Sequence, residues 1–110
     1  MAKKVNIQGL PFMCVRLEDA DFDDVAAIYV IICVNEVEGK YTVIDVGQSG
    51  QVGTRINNHD REECWHSNCE IGHIWVCIYK TPTVDMTAEE RIDLEGKIRD
   101  AYPNLPCGER

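Results

Sequence analysis

Two strand-like segments separated by five residues lie near the middle of the chain. Residues 27–34 (AIYVIICV) are rich in β-branched side chains, and residues 40–47 (KYTVIDVG) alternate as a half-buried strand does. The link NEVEG between them is short and ends in Gly39, which favours a tight connection. The pattern therefore predicts a β-hairpin.

The remainder of the chain predicts two helices and one further strand. The turn-like residues 48–53 precede a helix over 54–63, and residues 73–80 (HIWVCIYK) predict a third strand. Thr87 followed three residues later by Glu90 is a capping box that begins the second helix, and Pro103 ends it. The order β-β-α-β-α is an α+β fold. A helical-wheel projection of the second helix, at about 100° per residue, predicts one apolar arc. Its members are Ala88, Ile92, Leu94, Ile98, Ala101 and Tyr102.

A chain of 110 residues is long enough for one core and too short for two independent domains. We expect residues 25–110 to form that domain and residues 1–24 to be an N-terminal extension or an edge strand. Residues 10–17 have strand character, but Pro11 argues against a central strand there.

The charge of the chain opposes close approach to a polyphosphate. The formal net charge is −8, whereas nucleic-acid binding relies on Lys and Arg displacing counterions. We therefore expect the isolated chain to bind nucleic acid weakly. Acidic residues cluster before the first strand, where they predict a solvated segment or a docking patch for a basic partner: Glu18, Asp19, Asp21, Asp23 and Asp24.

Six cysteines in a chain of this size are compatible with a disulfide framework. No secretory signal precedes them, so we expect reduced thiols in a soluble, cytoplasmic protein, with Cys33 and Cys77 as small core residues. The longest apolar stretch, residues 26–34, falls far short of the roughly 20 residues that a bilayer requires, so no membrane association is expected. The absence of a C-x-x-C pair disfavours a thiol-redox protein.

Glu95 is a charged residue at a position that the helical pattern predicts to be apolar. The wheel places its carboxylate between Ile92 and Ile98, where a charge needs a partner or a metal ion. Pairing with Arg91 or Arg99, one turn away, is one solution. Coordination of Mg²⁺, which accepts one protein carboxylate together with water and phosphate oxygens, is the other.

Three further side chains have the chemistry of a phosphate site. Arg55 and His59 are four residues apart and share a helix face, where Arg offers a permanently charged fork and His exchanges a proton near neutral pH. Tyr29, in the first strand, carries a phenol that could reach a pocket edge. Taken singly, each of these residues is more typical of ordinary surface or core.

The order and spacing of these residues resemble the GIY-YIG endonuclease family from about residue 26 to the C-terminus. Ala27-Ile28-Tyr29 stands where the family has Gly-Ile-Tyr, and Asp45-Val46-Gly47, continued by Gln48, stands where it has Tyr-Ile-Gly. Arg55 and His59 match the following helix, and Glu95 matches the metal-binding Glu after the third strand. The resemblance implies a small, mostly antiparallel three-stranded sheet with flanking helices.

The resemblance also implies a hydrolase that cleaves phosphodiester bonds of nucleic acid, with DNA favoured. Mg²⁺ or Mn²⁺ held by Glu95 would polarise the phosphate, and Arg55 would offset the developing charge. Tyr29, helped by His59, would act as general base, which requires nearby cations to lower its pKa from about 10.

This chain departs from the family pattern at several positions. Asp45 replaces a Tyr, so it could serve as a second metal ligand or a general base, or the site could be inactive. Cys107 lies about where many members have an Asn, and Asn104 is the nearest amide. The supporting residues that we expect around the site are Asp45, Gly47, Gln48, His66 and Asn104.

Two other functions are compatible with the sequence. One is a catalytically degenerate domain that serves as a protein-interaction module, in keeping with Asp45 and the acidic surface. The other is a structural zinc site at Cys64, His66, Cys69 and His73, although this spacing is tighter than the usual two-pair arrangement. Otherwise Trp65 and His66 shape a pocket wall, and Cys64 and Cys69 are incidental thiols.

Overall fold

The computed structural model describes residues 2–57 and 61–107. Five strands form the sheet: β1 (Lys3–Ile7), β2 (Leu10–Arg16), β3 (Ala27–Asn35), β4 (Lys40–Ser49) and β5 (His73–Lys80). The helices are α1 (Val52–Asn57), α2 (Glu62–Ser67) and α3 (Ala88–Asp100), with single 3₁₀ turns at Leu17–Asp19 and Pro82–Val84. The α+β class is confirmed. Among the described residues, no helix is long and apolar enough to cross a bilayer.

The sheet has five strands, so the predicted three-stranded sheet is wrong. All neighbours pair antiparallel in the order β1-β2-β5-β3-β4. The first 24 residues are thus not an appendage, because β2 lies between β1 and β5. Pro11 is tolerated since it is opposite Asn6 of β1, while pairing with β5 begins only at Met13.

The helix predicted over residues 54–63 is replaced by two short helices. The α1 helix begins at Val52, two residues earlier than expected, and α2 begins at Glu62. Arg61 immediately before α2 has φ −98° and ψ 6°, which interrupts helical geometry. Periodicity alone could not locate this break.

The capping box of α3 is confirmed, because Thr87 Oγ1 accepts from the Glu90 amide at 3.1 Å and Glu90 Oε1 accepts from the Thr87 amide at 3.0 Å. The predicted apolar arc is only partly right. Ile98 is buried, but Ile92 is 51% exposed. Glu95, at 8% exposure, lies on the buried side of the helix as expected.

The sheet separates two cores. The α3 face of the sheet packs against Leu94 and Ile98, and its buried residues include Phe12, Ile28, Val30, Ile32 and Val46. The α1–α2 face packs against Val52, Ile56 and Trp65, and its buried residues include Ala27, Tyr29, Ile31, Ile44 and Val76. Alternate residues of β3 serve opposite faces, as the two-residue period of a strand requires.

All six cysteines are paired, so the expectation of reduced thiols is wrong. The disulfides are Cys14–Cys77, Cys33–Cys69 and Cys64–Cys107, with sequence separations of 63, 36 and 43. Cys33 and Cys77 are therefore not simple apolar residues, and Cys64 and Cys69 are not incidental thiols. The partners are distant in sequence and meet only through strand order, which sequence spacing does not reveal. Disulfides are typical of oxidising compartments, while the cytoplasmic location stays a prediction.

Candidate functional site

Tyr29 and Gly47 form the centre of the candidate site. They lie directly opposite each other on β3 and β4, on the α1–α2 face of the sheet. The phenol of Tyr29 lies across Gly47 so closely that a Cβ at this position would overlap the ring and its hydroxyl oxygen. Gly47 is required here by close approach, because any larger residue would displace Tyr29.

Arg55 is positioned by the acidic segment that precedes β3. Both the backbone amide and the hydroxyl of Thr54 donate to the Asp24 carboxylate, at 2.5 and 2.6 Å. The amide of Val52 donates to the Val25 carbonyl at 3.0 Å, so the segment is fixed along α1. The Thr54 hydrogen bonds hold the pKa of Asp24 below its usual value. At least this acidic residue therefore has a structural role, which the charge cluster did not predict.

The Arg55 guanidinium donates a side-chain hydrogen bond to the Tyr29 phenol. Burial nevertheless raises the pKa of Tyr29, since desolvation outweighs the attraction of Arg55 and Arg61 for the phenolate, and the Asp45 carboxylate raises it further. Tyr29 is only 1% exposed. The lowered pKa that a general-base role needs is therefore not met, and at neutral pH Tyr29 is a neutral phenol.

Asp45 is fully buried on the same face, two residues from Gly47. Its Oδ2 accepts a hydrogen bond from Trp65 Nε1 at 2.9 Å, and Arg61 Nη1 lies 3.2 Å from its Oδ1. The Arg61 contact is an ion pair without hydrogen-bond geometry, because Oδ1 has no hydrogen-bond partner. Desolvation raises the pKa of Asp45 despite Trp65, Arg61 and Arg99. Asp45 thus anchors α2 to the sheet.

Glu95 lies on α3 between two arginines that contact β4. Arg91 Nε donates to the Gln48 side chain at 2.7 Å, and Arg99 Nη1 donates to the Val46 carbonyl at 2.6 Å. Glu95 is one helical turn from each arginine, and Gly47 lies between their two contacts. Glu95 is buried and is therefore held by α3 beside β4, on the opposite face of the sheet from Tyr29.

The other predicted residues are less central. Gln48 is half-buried and bound to Arg91, whereas Asn104 is exposed. His66 is exposed, pairs with Glu62 at 3.7 Å, and lines a groove of about 430 Å³ together with Ile56 and His73. That groove is not lined by Tyr29, Arg55 or Glu95, so of the two expected wall residues only Trp65 contacts the site. His59 lies outside the described residues.

A divalent cation has one suitable ligand at this site. Among residues 2–57 and 61–107, no three His, Cys, Asp or Glu side chains come together as a metal-binding group. Mg²⁺ is commonly held by one or two carboxylates, waters and substrate phosphates, so Glu95 fits as a single hard-oxygen ligand. Asp45 does not fit as a second ligand, because its carboxylate lies against Trp65 and Arg61.

The zinc alternative is contradicted by the disulfides. Cys64 and Cys69 are bonded to Cys107 and Cys33, so neither is available as the thiolate that Zn²⁺ would need. His66 and His73 remain beside the groove without these ligands.

Sequence reasoning missed Arg61 and Asp24 as parts of the site, and it predicted Trp65 only as a wall residue, not as a donor to Asp45. Arg61 is within 3.2 Å of Asp45 and affects the Tyr29 phenol, yet it lies in a charged stretch that resembles ordinary surface. An Asp inside an apolar strand is itself a signal, because a buried carboxylate requires donors. Nothing in the spacing indicates that Trp65 supplies one of them.

Comparisons of the chain with protein-family models, with curated proteins and with solved structures found no match.

Proposed function

We propose that the protein is a metal-dependent nuclease of GIY-YIG type that hydrolyses phosphodiester bonds, with DNA as the favoured substrate. One observation carries the proposal: residues of three elements lie against the part of the sheet that contains Gly47, with Tyr29 and α1 on one face and α3 on the other. Tyr29 of β3 lies across Gly47, and Arg55 of α1 donates a hydrogen bond to the Tyr29 phenol. Glu95 lies on α3 between the two arginines that contact Val46 and Gln48, the chain neighbours of Gly47.

The local charge also supports a phosphate ligand. The chain carries a net charge of −8, but four of its six arginines surround the stretch from Asp45 to Gln48. Arg61 pairs with Asp45, Arg91 and Arg99 donate to β4, and Arg55 binds Tyr29. A locally basic site attracts phosphate even where the molecule as a whole repels it. Nucleic-acid binding is therefore expected to be weak overall and to occur at this group of arginines.

Each residue of the proposed site has a role that suits the chemistry of its side chain. Arg55 offsets charge that develops on the phosphoryl oxygens. Tyr29 remains protonated and accepts a hydrogen bond from Arg55, so it orients the guanidinium and does not serve as the base. His59 is then the remaining group of the matched set that can take a proton from the attacking water. A divalent cation, when held by Glu95, supplies Lewis-acid polarisation of the phosphate.

The test is cleavage of labelled branched, single-stranded and duplex DNA at low salt with Mg²⁺ or Mn²⁺. Glu95→Gln keeps the size of the side chain but removes its charge, and we expect it to lower the rate by at least about 100-fold. Asp93→Asn is the matched control, because Asp93 lies on the same helix and is exposed. Arg55→Lys is expected to lose activity while keeping the charge. Normal cleavage by Glu95→Gln would refute the assignment.

Two observations favour a second candidate, a degenerate domain that acts as a protein-interaction module. The Tyr29 phenol is almost entirely buried with a raised pKa, and Asp45 is held by Trp65 and Arg61 where the family has a Tyr. If wild-type protein cleaves none of the three DNA forms with either metal ion, this candidate replaces the nuclease.

A further inference from the structure

The segment that follows α3 packs against the candidate site. The amide of Cys107 donates to the Ile44 carbonyl of β4 at 3.1 Å, and Cys107 is only 3% exposed. The Cys64–Cys107 disulfide joins this segment to α2 one residue before Trp65. The side-chain amide nitrogen of Asn68 lies 3.5 Å from the sulfur of Cys64 and 3.6 Å from that of Cys107, so it contacts both ends of the disulfide.

Arg61 connects that segment to the buried carboxylate. Its Nη1 donates to the Cys107 carbonyl at 2.7 Å and lies 3.2 Å from Asp45 Oδ1. The side chain is only 24% exposed. One guanidinium nitrogen thus contacts both the sheet and the C-terminal segment, and its position depends on where the disulfide holds Cys107.

We propose that Arg61 is a positioning residue of the site and that the Cys64–Cys107 disulfide keeps it in place, so that the site is fully assembled only in the oxidised protein. Without the disulfide, Cys107 is held only by individual hydrogen bonds, and Arg61 loses a fixed acceptor. The buried Asp45 carboxylate then has a less well placed cation beside it, so its desolvation is less well offset. This favours movement of α2 away from the sheet. The effect on cleavage rests on the proposed function, but the effect on the Asp45 network does not.

The switching step is thiol–disulfide exchange with a dithiol reductant. One thiolate of the reductant attacks the Cys64 sulfur, which is the more exposed of the two, and the Cys107 sulfur leaves as a thiolate that takes up a proton. The second thiol of the reductant then attacks the mixed disulfide and releases Cys64. Two electrons and two protons pass to the protein, and the reductant becomes its cyclic disulfide.

The indole N–H of Trp65 is a direct probe of this network, because it donates to Asp45 and its side chain is fully buried. Hydrogen–deuterium exchange of the two indole N–H groups can be followed by NMR, with Trp75 of the opposite core as an internal reference. In the variant with both Cys64→Ser and Cys107→Ser, we expect Trp65 exchange to accelerate at least about tenfold relative to Trp75. Mild dithiol treatment of wild-type protein should reproduce the effect.

The Cys33–Cys69 disulfide supplies a matched control. Its sequence separation is 36 against 43 for Cys64–Cys107, so the two bonds restrict the unfolded chain almost equally. This disulfide joins β3 to the segment just after α2 but does not involve Cys107. The variant with both Cys33→Ser and Cys69→Ser should leave the ratio of Trp65 to Trp75 exchange within about threefold of wild type.

Substitutions of Arg61 test the same link without altering a disulfide. Arg61→Met should accelerate Trp65 exchange as the Cys64/Cys107 variant does, and Arg61→Lys should fall between Met and wild type, because an ammonium keeps the charge but not the fork. Lys97→Met is the control, since Lys97 is exposed on α3 and lies away from both tryptophans. If the cysteine variant fails to fold, the Arg61 series tests the positioning role and dithiol treatment of wild-type protein tests the disulfide.

The proposal would be overturned if the Trp65 indole N–H exchanged at the wild-type rate in both Arg61→Met and the Cys64/Cys107 variant. It would also be overturned if the Cys33/Cys69 control accelerated this exchange as much as the Cys64/Cys107 variant does. Accelerated exchange in the predicted variants of a protein that cleaves no DNA would uphold the positioning role and refute only the nuclease assignment.

Discussion

The two faces of the sheet bury their residues at different cost. On the α3 face, buried side chains such as Phe12, Val30 and Ile98 are apolar, so removing them from water is favourable throughout. On the α1–α2 face, Tyr29 and Asp45 are buried together, and Asp45 requires Trp65 and Arg61 as partners. Buried charge seldom adds stability compared with apolar packing. The difference indicates that the α3 face supplies mainly apolar stabilisation, whereas the α1–α2 face holds the buried polar groups Tyr29 and Asp45; Glu95 of the proposed site lies on α3 itself.

The largest expected effect is on stability at the α3 face. Phe12→Ala removes a fully buried ring and should lower the free energy of unfolding by about 3–5 kcal/mol. Met13→Ala is the control, because Met13 is the next residue of β2 and is 44% exposed, so a loss of about 0.5 kcal/mol or less is expected. Urea denaturation measures both. If folded Phe12→Ala protein showed accelerated exchange of the Trp65 indole N–H on the opposite face, the separation of the two faces would be contradicted.

A glycine pair sharpens the comparison at the site. Gly47→Ala places a methyl group against the Tyr29 ring and should destabilise the protein by about 1–3 kcal/mol. It should also displace the phenol, which the ultraviolet titration of Tyr29 can detect. Gly96→Ala has no atom within 4 Å of the new Cβ and lies inside α3, so a gain of about 0.5–1 kcal/mol is expected. Similar effects for both variants would contradict the close approach of Tyr29 to Gly47.

Two aspartates should give opposite dependences of stability on pH. The pKa of Asp45 is raised by burial, so its contribution is full below the unfolded pKa of about 3.9 and is lost as pH rises through its folded value. The slope from this one group cannot exceed about 1.4 kcal/mol per pH unit.

The pKa of Asp24 is lowered by Thr54, so its contribution is present above the unfolded pKa and is lost as pH falls. Unfolding of Asp45→Asn and Asp24→Asn across acidic pH, each compared with wild type, measures the two slopes. Slopes of the same sign would refute the description of Asp45.

Local patterns predict the elements of this fold better than their assembly. Strands β3, β4 and β5 and the capping box of α3 follow from β-branched runs and from Thr87 and Glu90, which act within a few residues of chain. The position of β2 beside β5 depends on pairing across more than sixty residues, as Cys14 opposite Cys77 illustrates. No periodicity within one segment records such pairing.

The candidate site shows the same limit. The burial of Glu95 was predictable, because a wheel depends only on residues of one helix. The raised pKa of Tyr29 was not predictable, since it depends on how completely α1 and α2 cover the sheet. The partners of Asp45 come from α2 and from the residue before it, and the exposure of Ile92 shows that the predicted apolar arc of α3 does not face the core along its whole length.

Paramagnetic broadening by Mn²⁺ tests most directly whether Glu95 carries a metal site at Gly47. Gly39 is the reference, because eight residues of extended strand place it about 26 Å from Gly47. In a titration of ¹⁵N-labelled protein, we predict that the amides of Gly47 and Gly96 broaden before that of Gly39, and that Glu95→Gln removes this preference. Equal broadening of Gly39 and Gly47, or an unchanged preference in Glu95→Gln, would contradict the account.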